Sequence, residues 1–539
     1  MLARAAKYFH TARHLRPGQI TWRVWALSKR RAGLIRLPPT PADLGGGLRP
    51  AVPFRGHDPW NSRERIAAGE FRFLDHTARL GRPVEWDAQG QPLLWQFNLH
   101  YFNYLHLLSR EEQAGLCADW VRANPAGETV GWHPYPTSLR IVNWCKAGLQ
   151  DDALLRGLYR QAAHLYRNVE TYHPGNHLLE NAKALIFAGR YFEGRGESAR
   201  WLERGLKIYL DETPAQVLAD GGYFERSPMY HALMLEGYLD LVNILPDGPE
   251  RGRLAEAARE MTDFLLSVTH PDGQIALFND STTEIAPPTS ALVAYARDLL
   301  NHHARKKEAF PDTGFYVNET PDSYLVIDGG AVGPDHLPAH AHADIFSYEL
   351  SVGGRRLVVD SGVYEYRAGE MREYVRGTRA HNTVCVDGLD QAECWGSFRV
   401  ARRFPPRGVS FRRDPDGCRF EGSFDGYARL VGDAVTHRRV ITCENAQRRI
   451  VVEDFVGGSG RHLVESLVHL HPEVGVELAG AGLVLRWGDG KEAARISGDL
   501  PRVEQGWYCP RFGQRLRNKV LVWGGPRRLP ARTSYAVHY

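Results

Sequence analysis

The chain has 539 residues, of which 43% are hydrophobic and 24% charged. That length exceeds what one hydrophobic core serves, so two or three domains are expected. A net charge of +4 is too small to imply a nucleic-acid partner, and no apolar run reaches the ~18 residues of a membrane-spanning helix. Seven cysteines without close spacing do not form a disulfide framework, so free thiols are expected.

Residues 1–40 read as a basic arm. Nine Lys or Arg and no acidic residue lie within residues 1–36, while the rest of the chain is net acidic. Such an arm suits peripheral contact with a membrane surface or an anionic glycan. The alternative is a solvated helix packed on its own domain. Arg4, Lys7, Arg13 and Arg16 interrupt any apolar stretch, so no signal peptide is visible and the cytoplasm is the default compartment.

Residues 41–310 carry apolar side chains at three- and four-residue spacing. This predicts helices over 101–124, 152–169, 177–192, 198–209, 229–244, 256–269 and 290–304. Pro134-Tyr135-Pro136, Pro174-Gly175 and Pro271-Asp272-Gly273 punctuate them. Helices joined by short loops fit a bundle, a solenoid or an α/α toroid. Near residue 310, with a linker over 306–312, the period becomes two. Strands are predicted over 323–328, 356–360, 383–387, 439–443, 449–454 and 483–487. Gly353-Gly354 and Asp387-Gly388 are hairpin turns, and residues 311–539 should form an antiparallel β-sandwich.

Three groups of residues could carry chemistry. Pro174-Gly175 stops the chain before a helix that Asn176 can cap, with His177 and Glu180 near its start. Such a helix start attracts an anion, though Asn176 as a simple cap and His177 as a core residue are the alternative. Ser227 caps and Pro228 begins a second helix, placing Tyr230 in the first turn, where the helix dipole should lower the phenol pKa. Tyr230 is then either a proton donor and acceptor or an aromatic packed on Leu233 and Met234. The third group is His340-Ala341-His342-Ala343-Asp344, with Asp360 and His381. On an extended backbone the alternation sets both imidazoles and the carboxylate on one face. His and carboxylate ligands suit zinc. A simple hairpin at Gly353-Gly354 pairs Asp360 with Ser347, five residues or roughly 17 Å from His342. Joining them needs a bend or a bulge. Arg379 could grip a carboxylate or sulfate, and Asn279, Trp132 and His133 could line a cleft.

The blocks GNHLLENAKAL, FERSPMYHALML, HAHADIFSYELSVGGRRLVVDSG and RAHNTVCVDG, in this order, resemble the heparinase II/III-type polysaccharide lyases. The resemblance runs from about Trp95 to the C-terminus. It implies an N-terminal incomplete (α/α) toroid followed by a C-terminal antiparallel β-sandwich, with the active site between them. The implied reaction is β-elimination at a uronic acid of an anionic polysaccharide. By the same resemblance, Asn176 and His177 neutralise the substrate carboxylate or orient the sugar. Tyr230 is base, acid or both, and His340 is its partner. Glu180, Arg379, Asn382, Trp132, His133, His231 and Asn279 would contact the sugar, and Glu180 would orient His177. His342, Asp360 and His381 would hold a structural Zn2+. The competing readings are a metal-dependent hydrolase, a toroidal glycoside hydrolase using Glu180 and Glu225, and a catalytically silent glycan-binding or exopolysaccharide-assembly protein.

Overall fold

A computed structural model describes residues 2–31, 37–127, 129–430, 434–480 and 482–539. Within the basic arm, Arg36 and the side chains of Arg4, Lys29, Arg30 and Arg31 lie outside the described residues.

The N-terminal region is helical. Asn176–Tyr191 is its central helix, with Ala182, Ala184, Leu185, Ile186, Phe187 and Ala188 all sealed from solvent. Helix Ser198–Gln216 lies close against it because Gly205 has no side chain. A Cβ there would sit 2.8 Å from the Ala182 carbonyl oxygen. Helices Pro134–Ala147, Asp152–Arg167, Pro228–Ile244, Pro249–Ser267 and Thr289–Leu300 surround this pair and share one apolar core with it.

The helix predicted over 101–124 is instead broken. Helix Leu93–Tyr101 ends where Phe102 turns left-handed at φ +61°. Arg110–Ala123 restarts behind a capping box between Ser109 and Glu112, which satisfies the first free N–H groups. Pro134-Tyr135-Pro136, expected as a loop, is the first turn of Pro134–Ala147, where proline loses no hydrogen bond. The hairpin Glu70–Phe73/His76–Arg79, inside the helical region, was not foreseen.

The C-terminal region is built of antiparallel strands. Among the described residues, eight strands from Arg407–Asp414 to Gly475–Ala479 make the largest sheet. A four-stranded sheet contains Arg461–His469 and Val384–Val386, and a five-stranded sheet contains Phe315–Glu319, Ser323–Asp328, Tyr348–Val352 and Arg355–Val358. Their inner faces bury a second core that includes Leu325, Leu350, Phe420, Ile441, Val452 and Trp523. An apolar seam joins the two regions: Phe264 of helix Pro249–Ser267 and Val268 just past its end pack with Phe278, Phe310, Phe315 and Val326.

The segment 338–347 is not the extended strand that the alternation suggested. Its backbone bonds go elsewhere. Ala343 N–H donates to the Arg376 carbonyl, Thr378 Oγ donates to the Ala343 carbonyl (2.8 Å), and Arg376 donates to the Ala341 carbonyl (3.1 Å). Phe346 is left-handed at φ +67°, and the Ser347 N–H closes a turn onto Asp344. This turn supplies the bend that the distance from His342 to Asp360 requires.

Candidate active site and metal centre

Two helix starts and the 338–347 turn converge. Ser227 Oγ accepts from the Tyr230 N–H (3.3 Å) and donates to the Asp280 carbonyl (2.7 Å), so one hydroxyl caps the helix and anchors the neighbouring loop. The Tyr230 ring stacks on His340 with centroids 3.8 Å apart. Tyr230 Oη shares a hydrogen bond with Tyr366 Oη (3.1 Å). The predicted lowering of the Tyr230 pKa is overturned. Burial raises it well above the ordinary phenol value, and Tyr366, Asp280 and Glu225 push it the same way. The helix dipole is too weak to offset the loss of hydration.

Asp280 organises the centre. It is fully buried and takes His340 Nδ1 at 2.9 Å on one oxygen and His342 Nε2 at 2.9 Å on the other. Arg372 bridges both oxygens with two N–H donors, one at 2.8 Å. Burial alone would raise this carboxyl. Arg372 and the two imidazoles outweigh burial and hold it well below its ordinary value. An ionised carboxylate only accepts, so each imidazole donates to it. That leaves the lone pair of His340 on Nε2 and that of His342 on Nδ1.

His340 Nε2 stands 3.6 Å from Glu225. Glu225 is buried, and burial raises its pKa against His340 and the Asn176 backbone N–H, which lower it. Gly175 permits this approach, since a Cβ there would lie 2.5 Å from a Glu225 oxygen.

At the other helix start, His177 Nδ1 pairs with Glu170 at 3.1 Å, stacks on Tyr135 at 4.3 Å and on His173 at 5.2 Å, and keeps a third of its side chain exposed. Burial opposes a charge on His177, but Glu170 outweighs it and the pKa is raised. Asn176 Oδ1 accepts from the next backbone N–H, and His133 caps Pro134–Ala147 with its side chain exposed.

The donor atoms of His342, Asp344 and His381 lie within 4.8 Å of one another. Asp360, expected among the ligands, instead accepts from His381 Nδ1 (2.9 Å), and Asp344 takes its place in the close set. His342 Nδ1, His381 Nε2, one oxygen of Asp344 and one of Asp360 are buried without a hydrogen-bond partner. The three of these atoms that belong to the close set, on His342, His381 and Asp344, would be costly to leave together unless a cation satisfied them. Each imidazole also carries a carboxylate on its far nitrogen, the usual outer support of a metal-bound histidine. Burial lowers His342 to about 3, keeping it neutral as a ligand must be, whereas at His381 the Asp360 and Asp344 carboxylates outweigh burial and raise the imidazole to about 9, so a metal there would displace its proton. The residues therefore fit a metal ion.

The structure does not bring every expected residue to this place. His231 is buried with both ring nitrogens engaged, at Met261 O (2.8 Å) and Tyr223 N (3.2 Å). Trp132 is buried against Trp120 and His164 and donates to Asn124 O. Asn279 bonds Arg226 O and the His342 N–H, and Asn382 bonds Tyr348 O, Val359 O and the His469 N–H. Their amides bond loop backbone, and both side chains are buried. Arg379 turns to Glu465 and Glu504. Glu180 pairs with Lys183 (3.2 Å) and makes no hydrogen bond to His177. Sequence reasoning missed Arg372, Tyr366, Glu170 and His173. Asp280 lies in the stretch Asn279-Asp280-Ser281 that the sequence offered as cleft lining, but its organising role was not foreseen. Arg372 had no signal, because 92 residues separate it from its partner.

Comparison with known proteins accords with this arrangement. Residues 119–307 match the family described as Heparinase II/III N-terminus, and residues 302–535 match Heparinase II/III-like, C-terminal. A heparin-sulfate lyase of Pedobacter heparinus is 27% identical over 316 residues, covering 50% of this chain and 47% of that protein, so the match spans about half of the relative's length. FtsZ-localized protein C of Caulobacter vibrioides is 26% identical over 484 residues, 82% of this chain and 80% of that protein. A solved structure of a mutant heparan sulfate lyase HepC from Pedobacter heparinus superposes with TM-score 0.60 at 19% identity, covering 96% of this chain and 88% of that one, and so shares the fold. With a helical region followed by a sheet region and both halves of the family signature in order, the chain belongs to the heparinase II/III-like family.

Proposed function

We propose that this protein is a polysaccharide lyase that cleaves an anionic, uronic-acid-containing polysaccharide by β-elimination. The observation that carries this reading is the stacked contact between Tyr230 of the helical region and His340 of the sheet region. In the reaction, His177 and Asn176 hold the uronate carboxylate, and the positive charge on His177 acidifies the proton on the adjacent ring carbon. His340 Nε2 takes that proton. The electron pair left behind becomes a carbon–carbon double bond as the glycosidic C–O bond breaks. Tyr230, protonated because burial holds its pKa up, donates to the leaving oxygen. The carbohydrate class comes from the family and from the lyases among its relatives. A silent glycan-binding role is the second reading, because the relative covered over 80% of its length is named for where it localises, not for a reaction. Ultraviolet absorbance of the unsaturated product on a panel of uronic-acid polymers separates the two, since only elimination makes the double bond.

The reading predicts a pH profile. A raised His177 pKa keeps the imidazolium present to higher pH and loses it as pH rises through that value. Glu170→Gln removes the principal charge that raises it. The alkaline fall of kcat/KM should then move to lower pH, and a fall that stays in place would remove His177 from carboxylate binding.

The metal proposed at His342, Asp344 and His381 is Zn2+, with Asp360 and Asp280 orienting the two imidazoles. When bound it would tie the turn 338–347 to the sheet and so hold His340 in place. About one zinc per chain is expected from metal analysis, and His342→Ala should lose it. Equal metal content in both proteins would refute the site.

A further inference from the structure

Seven of the fourteen exposed large apolar side chains among the described residues fall between Tyr8 and Trp25. Phe9 is 65% exposed, Val24 59%, Trp25 55%, and Ile20 and Trp22 50% each. A surface helix ordinarily turns its apolar side to the core. Helix Leu2–Ala12 does the reverse. Thr11 accepts from Trp395 Nε1 (3.2 Å), Tyr8 sets its ring edge on Trp395 (4.9 Å), and Ala5, Ala6 and Phe9 face outward. Helix Pro17–Arg31 is held by the buried Gln19, whose amide donates to His336 O (3.1 Å), and leaves its two tryptophans in water. Concentrated exposure of this kind marks a surface made to be covered.

We propose that these two helices dock the protein on an anionic lipid bilayer. Charge complementarity chooses the occupant. Residues 1–36 contain nine Lys or Arg and no acid, and the side chains of Arg13, Arg16 and Arg23 are exposed beside the apolar ones. Tryptophan and phenylalanine with interspersed Lys and Arg are the composition of an interfacial helix, whose apolar side sinks to the acyl boundary while its cations meet lipid phosphates. A second copy of this chain would bring nine like charges against nine. An anionic glycan needs the cations but not Ile20 or Val24. The surface borders the candidate site, since Arg23 lies within electrostatic reach of His173, which stacks on His177. Docking would therefore hold the site close to the bilayer. The inference is independent of the lyase reading.

The full chain should sediment with phosphatidylcholine vesicles that contain phosphatidylglycerol, and bind phosphatidylcholine alone about tenfold more weakly or worse. Raised salt should weaken the binding. The triple substitution Phe9→Ser, Trp22→Ser, Trp25→Ser should abolish sedimentation at unchanged melting temperature. Arg13→Glu, Arg16→Glu, Arg23→Glu should do the same with the apolar side chains in place. Failure of the unaltered chain to sediment with the anionic vesicles would overturn the proposal, as would equal binding by either variant. Retention on a sulfated-polysaccharide column without vesicle binding would assign the arm to glycan. A change in oligomeric state as the sole effect of the substitutions would assign it to a second copy.

Discussion

Tyr230→Phe should lower elimination by ~10²–10⁴-fold while leaving the protein folded. The phenol contributes one hydroxyl, hydrogen-bonded to Tyr366 Oη, and losing that bond costs about 1 kcal/mol. The ring stays, and with it the stacking on His340 and the cap on Ser227, which the backbone makes. The chemistry does not survive so easily. Phenylalanine has no proton to give to the leaving oxygen, and the water that could replace it must enter a place where Tyr230 is 8% exposed. Product absorbance measures the loss, and an unchanged melting temperature shows that the fold is not its cause. Full activity in the variant would show that the leaving oxygen takes its proton elsewhere.

Asp280→Asn should destabilise the protein by ~3–5 kcal/mol, because it leaves Arg372 buried beside a neutral amide. Asparagine matches aspartate in shape, so the effect isolates the charge. Its amide nitrogen is also a donor where His340, His342 and Arg372 all require acceptors. The imidazoles would lose the bonds that place their lone pairs, and both zinc content and elimination should fall together. Adding Arg372→Met removes the stranded cation. The double variant should regain much of the denaturation midpoint and none of the activity, since removing both partners of a buried pair is often nearly neutral for stability. If Asp280→Asn alone melts with the unaltered protein, the carboxylate is not the centre of this network.

Periodicity and short-range chemistry were legible in the amino-acid sequence. The change from helical to alternating spacing near residue 310 corresponds to the last long helix ending at Leu300 and strands beginning at Ala309. Strand Ser323–Asp328 and the helix start behind Ser227 were visible because capping and turn residues act within a few positions of themselves, whereas Asn176, expected as a cap, is the first helical residue, with Gly175 at the cap position. His-x-His-x-Asp announced a centre by composition. What it could not announce was its path, because Ala341 and Ala343 take their hydrogen bonds from Arg376 and Thr378, more than thirty residues downstream. Asp280 reaches the centre from one segment and Tyr366 and Arg372 from another, and Asp344 rather than Asp360 lies beside the two histidines, two residues before the left-handed Phe346. Local sequence therefore determined which residue types were available and where elements begin. Tertiary structure alone decided which of them meet, since a buried charge network is satisfied by whichever groups folding brings within about 3 Å, at any separation along the chain.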